Sequence, residues 1–154
     1  MISPELLRRY PFFAFLDDAH QKAIAMITEE VSYANQETIF RENQPASALY
    51  LLVEGNVDLY FTVEEEYRPE SRKEFLVGEI NPGEPFAISA LIEPYVLTAT
   101  ARAASPCRVL KIDAAALRAL CEVDCRLGYT LMKHAAKAAL ERLHFTRVQL
   151  AAAR

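Results

Sequence analysis

The sequence predicts a mainly β domain, a sandwich or barrel of short strands, with helices at both ends. Three observations predict it. Between residues 31 and 112, apolar residues alternate with polar ones or run continuously in short stretches separated by turns. On either side of that region the apolar spacing becomes helical. The length of 154 residues suits one domain, 1–154, which can bury roughly 70% of its unfolded surface without disulfide staples.

The first segment, about 1–30, reads as two short helices. Ser3 is placed as a cap, Pro4 at the first helical position and Glu5 in the first turn. Pro11 ends that helix and leaves Tyr10, Phe12, Phe13 and Phe15 as an aromatic patch. Asp17 caps a second helix whose apolar face is Ala23, Ile24 and Ile27. From Val31 the period is two. Residues 48–53 are apolar throughout, as in a strand covered on both faces, and Glu54-Gly55-Asn56 supplies a hairpin turn. Val57, Leu59, Phe61 and Val63 alternate with polar partners. Residues 64–74 are charged, contain Pro69 and read as a solvated hairpin tip or loop. Short strands at 75–77 and 108–112 complete the β region. In the last segment, 113–154, Asp113 caps a helix over 114–121, and a longer one runs from about 126 to 153. Met132, Ala136, Ala139, Leu140, Leu143 and Leu150 form one stripe on it, interrupted by Arg147.

Composition removes several function classes. Seventeen basic against twenty-one acidic side chains give a net charge of −4, which argues against a nucleic-acid surface. No apolar run approaches the ~20 residues of a membrane span, and no signal peptide is visible. Three cysteines, Cys107, Cys121 and Cys125, fit a reduced, cytoplasmic protein. They could also serve a redox or metal sensor, but buried cysteine acting as a small hydrophobe is the plainer reading. His20, His134 and His144 make no ligand set, so no metal is expected. Glu64, Glu65 and Glu66 read as a solvated charge run. No nucleophile–base arrangement is apparent, and the chain is not expected to be an enzyme.

Within this frame lie Ile39-Phe40-Arg41-Glu42-Asn43, then Leu49 to Gly55, then Pro82-Gly83-Glu84-Pro85-Phe86, and Arg102-Ala103 ahead of Cys107 to Ile112. In order and spacing the chain resembles the cyclic nucleotide-binding domain of catabolite-activator-type bacterial regulators over nearly its whole length. The resemblance implies a double-stranded β-helix (a jelly-roll-like β-roll) with short N-terminal helices and a long C-terminal helix. It places a ligand cassette at 82–103, with a short helical run at 86–91 and a strand through 98–102.

In the family the cassette holds a Gly-Glu pair after the phenylalanine, then an Arg followed by a Ser or Thr and a small residue. The glycine lets the backbone close on the ligand, the glutamate takes the ribose 2′-hydroxyl, and the arginine pairs with the cyclic phosphate. Counted from Phe86, those positions are Ala87, Ile88 and the following Ser89; counted back from Arg102, they are Leu97, Thr98 and Ala99. Only Thr98 keeps its chemistry, though Thr98 and Thr100 also suit a strand. No Arg or Lys lies between Phe75 and Ala101, and Glu84 and Glu93 would repel a phosphate.

Two charged partners lost at roughly 1.5–3 kcal/mol each remove about 3–6 kcal/mol. That weakens a micromolar ligand to between about 0.1 mM and beyond 10 mM. Cyclic AMP and cyclic GMP are therefore expected to bind weakly or not at all, and no cofactor is expected. Ile88 and Leu97 either retune the pocket for a small apolar ligand or fill it. In the second case the domain is a protein-interaction scaffold. The resemblance further implies a homodimer through the long helix, with ligand-coupled movement of that helix. Because the chain ends at Arg154, no DNA-reading helix-turn-helix and no direct DNA binding are expected.

Overall fold

The computed structural model describes residues 1–65 and 68–153. Helix α1 (Pro4–Arg8) is followed by a 3-10 turn at Pro11–Phe13 and by α2 (Asp18–Met26). Ser3 occupies the cap position of α1, but its hydroxyl donates to the Glu5 carboxylate and accepts from no backbone N–H. Asp17 caps α2 as expected, its Oδ1 accepting from the His20 N–H at 2.8 Å. The helical segment ends earlier than expected: strand β1 (Thr28–Tyr33) starts three residues before Val31. Thr28 makes that switch. Its buried hydroxyl donates to the Ile24 carbonyl at 2.6 Å, and its backbone pairs with Ile112.

The remaining strands are β2 (Thr38–Phe40), β3 (Ala48–Glu54), β4 (Val57–Glu65), β5 (Arg68–Ile80), β6 (Pro85–Phe86), β7 (Thr100–Ala103) and β8 (Cys107–Asp113). They form two antiparallel four-stranded sheets, in the orders β1-β8-β3-β6 and β2-β7-β4-β5. The mainly β, jelly-roll-like fold with flanking helices is therefore the one expected.

Residues 48–53 are apolar because the first sheet is covered twice. Leu49, Leu51, Leu110 and Ile112 face the helices, in one core with Leu7, Phe13, Ile24 and Leu117. Tyr50, Leu52, Val57, Ala101, Ala103 and Val109 fill the space between the sheets. Alternate residues of one strand thus enter two different cores.

Two expectations fail in the same region. Glu54-Gly55-Asn56 closes no hairpin, because β3 and β4 belong to different sheets. Gly55 (φ 92°) instead carries the chain between the sheets, so close to the next crossover that a Cβ would lie 2.5 Å from the Pro106 carbonyl oxygen. Of the alternating face on β4, Val57 and Leu59 are buried, but Phe61 and Val63 are 46% and 43% exposed. Beyond Tyr60, where its pairing with β7 ends, β4 runs on paired with β5 alone among the described strands. The expected tip at 64–74 is largely strand, since β4 reaches Glu65 and β5 begins at Arg68; Glu66 and Tyr67 lie outside the described residues.

Helix α3 (Ala114–Val123) is capped by Asp113, which accepts from the Ala116 N–H at 2.8 Å. Helix α4 (Cys125–Ala152) is capped by Asp124, which accepts from the Leu127 N–H at 3.1 Å. The other carboxylate oxygen of Asp124 lies 2.6 Å from His20 Nε2, tying the start of α4 to α2. Leu127, Leu131 and Ala135 face inward, and His134 stacks on Phe15 with ring centroids 4.9 Å apart. Among the described residues, no helix is long and apolar enough to cross a membrane.

Candidate ligand cradle

The cradle starts at the turn where Gly83 (φ 89°) donates its N–H to the Leu52 carbonyl at 2.7 Å. Glu84 folds back to accept from the Asn81 N–H at 2.8 Å, and its carbonyl accepts from the Leu52 N–H at 3.1 Å. This turn delivers Phe86 beside Tyr50 in register. The fully buried Phe86 ring packs on Tyr50 (5.1 Å) and Phe40 (6.0 Å), which also meet each other (5.4 Å), and the three rings anchor the floor.

Ala87 then takes left-handed backbone angles, φ 60° and ψ 39°. The chain reverses into a 3-10 turn at Ile88–Leu91, shorter than the helical run expected at 86–91. Arg118 on α3 holds the far end: its Nη1 donates to the Ala90 carbonyl at 2.6 Å, and its guanidinium lies 4.0 Å over the Tyr95 ring.

The return segment is fixed by backbone pairing. The Asn43 N–H donates to the Leu97 carbonyl (2.7 Å), and the Leu97 N–H donates to the Gln44 carbonyl (2.8 Å). Thr98 precedes β7 and is exposed, so the strand expected from 98 begins instead at Thr100. The Thr100 hydroxyl oxygen accepts from the Glu42 N–H at 3.1 Å, which is a structural role.

Six sequence-predicted positions, Ala87, Ile88, Ser89, Leu97, Thr98 and Ala99, line one cavity of about 470 Å³. The seventh, Phe86, is packed beneath it. Ile88 is partly buried and Leu97 is 5% exposed, so both form wall while the hole stays open. Phe40, Leu59, Val77 and Ile92 complete an apolar lining.

Three further lining residues escape a reading confined to the cassette: Ala139, Arg142 and Thr146 on α4. They recur at i, i+3 and i+7, the spacing of one helix face. That spacing was the available signal, but only the folded chain shows which cavity the face covers. Arg142 is partly buried. Burial pushes its guanidinium below its ordinary value, against the opposing pull of Glu84 and Glu141. No carboxylate among the described residues reaches it within ion-pair distance.

The cysteines are apart from this cavity. Cys107 is buried in β8, Cys121 is half-buried on α3, and burial raises both thiols above their ordinary value; Cys125 is exposed. Among the described residues, no group of three or more His, Cys, Asp or Glu side chains is placed to hold a metal ion.

The family model of the cyclic nucleotide-binding domain matches residues 30–124. The crystal structure of a candidate cyclic nucleotide-binding protein from Geobacter metallireducens GS-15 is 44% identical; the match covers 94% of this chain and all of that one, with a TM-score of 0.81. The N-terminal domain of a transcriptional regulator from Streptomyces coelicolor A3(2) is 28% identical over 94% of each chain, with a TM-score of 0.65. A candidate potassium channel protein of Rhodopseudomonas palustris is 28% identical over 120 residues, 78% of this chain. The match spans 27% of that curated relative's length.

Proposed function

Given that this chain belongs to the cyclic nucleotide-binding domain family, we propose that it is a sensory module. Its cradle accepts a small ligand with an apolar body and binds cyclic AMP and cyclic GMP weakly or not at all. The observation that carries this reading is an open cavity of about 470 Å³ in which Ile88 and Leu97 stand where the family places its acid and its arginine. A volume of that order is ample for a small ligand. Among the described residues, no histidine, cysteine or carboxylate lines it.

The test is a thermal-shift titration with cyclic AMP and cyclic GMP. A ligand at a hundred times its dissociation constant stabilises the fold by about 2.7 kcal/mol. The expected result is no shift at concentrations that saturate a micromolar binder. A clear shift would overturn the claim.

The reading includes assembly. Met132, Ala136, Ala139, Leu143 and Leu150 follow alternating spacings of four and three along α4, with Thr146 in the gap. Leu143 and Leu150 are 44% and 71% exposed. A seam of this period supports pairing with the same helix of a second copy, giving a homodimer whose helices move with the ligand. A cytoplasmic module making no DNA contact of its own accords with the net charge of −4 and the unpaired thiols.

A further inference from the structure

We propose that Arg142 is the anion-binding residue of this cradle, and that its ligand is a small monocarboxylate with a compact apolar body. The inference rests on the reading of the cavity as a ligand site and names the chemistry of what fills it.

The one basic residue of the cassette, Arg102, pairs with Glu74 and does not line the cavity, and the lining from Phe40, Leu59, Ile88, Ile92 and Leu97 recognises hydrocarbon. A fixed positive charge arrives from the opposite wall. Arg142 lines the cavity from α4, and arginine stays protonated in proteins. Glu141 sits beside it on the same helix, and Glu84 approaches from the turn at Gly83, yet neither forms an ion pair with it. A partly buried guanidinium without a close counter-ion is costly to hold, and its planar fork matches a carboxylate with two parallel hydrogen bonds.

The charge has also moved. In the family frame the anion would lie over the position of Leu97, deep in the cassette. Here, among the described residues, the only cation lining the cavity lies on α4. A ligand gripped there must place its anionic end toward α4 and its apolar body toward the sheet. A cyclic nucleotide has the wrong polarity for this arrangement, since its ribose and phosphate would face Ile88 and Leu97. The hydroxyls of Ser89, Thr98 and Thr146 are the remaining polar side chains on the lining.

The test compares octanoate with 1-octanol, which share a chain and differ in charge, by calorimetric titration of the full chain at constant ionic strength. The wild type should bind octanoate at least ~10-fold more tightly than octanol. Arg142→Gln should lose that preference, octanoate then binding no more tightly than octanol; Arg142→Lys should keep part of it. Arg142→Gln should also melt no lower than the wild type, so loss of binding is not loss of fold. Equal binding of acid and alcohol by the wild type would overturn the anion site while leaving the apolar cradle standing. Binding of neither would overturn both. Arg142-dependent binding of cyclic AMP in place of octanoate would overturn the ligand class.

Discussion

Ala87 holds left-handed backbone angles at the one cassette position where the family frame has glycine. For a residue with a Cβ this region is disfavoured by roughly 1–2 kcal/mol. The conformation persists because its neighbours impose it: Phe86 is packed into a cluster with Tyr50 and Phe40, and the Ala90 N–H donates to the Ala87 carbonyl at 3.0 Å. Ala87→Gly should therefore stabilise the fold by about 1 kcal/mol, read as a higher urea midpoint with an unchanged slope. A lower midpoint would mean that the methyl packs usefully against the core. The same residue shows what counting along the chain can do. Counting from Phe86 found the reversal point, because backbone frame is set by turn and anchor residues. Counting could not find Arg142, fifty-five positions further on.

Helix α4 depends at its inner face on a neutral imidazole. His134 stacks on Phe15 and meets Phe12 edge-on. Burial lowers it from the ordinary value of 6.5, with Lys137 and Lys133 pushing in the same direction. Between the folded value and 6.5 the unfolded chain binds more protons than the native one, so stability rises with pH there. The contribution is fully present above about pH 6.5 and lost as pH falls through the lowered value. His134→Phe keeps an aromatic ring and removes the proton site. Urea unfolding of both proteins between pH 8 and pH 5 should show the wild type losing stability relative to the variant below pH 6.5. Because His20 is common to both, its pairing with Asp124 cancels in the difference. A pH-independent difference would show that His134 is already free to protonate.

At the scale of elements, the caps at Asp17 and Asp113 were legible because a short carboxylate before a helix has few other uses. The continuous apolar run of β3 was legible as a doubly covered strand for a similar reason. The turn at Gly55 was misjudged. A tight glycine turn between two strands carries no mark saying whether they pair with each other or enter different sheets. The alternation through Val63 misled as well, since period two records which way side chains point and not whether anything lies beneath them.

For the whole molecule, the proposed homodimer rests on the exposed stripe on α4. Placing a charge at its centre, Leu143→Glu, should shift sedimentation equilibrium from dimer to monomer. The melting temperature should then cease to depend on protein concentration. A wild type that stays monomeric at high concentration would remove the dimer altogether. The overall architecture was legible from order and spacing of turns. The state of the cradle was not: whether two apolar residues wall a hole or plug it depends on how far α4 stands off, and no local pattern encodes that distance.

Ala139 and Thr146 look toward the cradle and also lie on the seam of α4. In the proposed dimer, an engineer who enlarges either residue to make the proposed sensor choosier also inserts volume between the paired helices. Ligand preference and subunit affinity are then one variable, adjustable only together. A biosensor built on this scaffold would have to be selected on both traits at once, and natural drift at these two sites is confined in the same way.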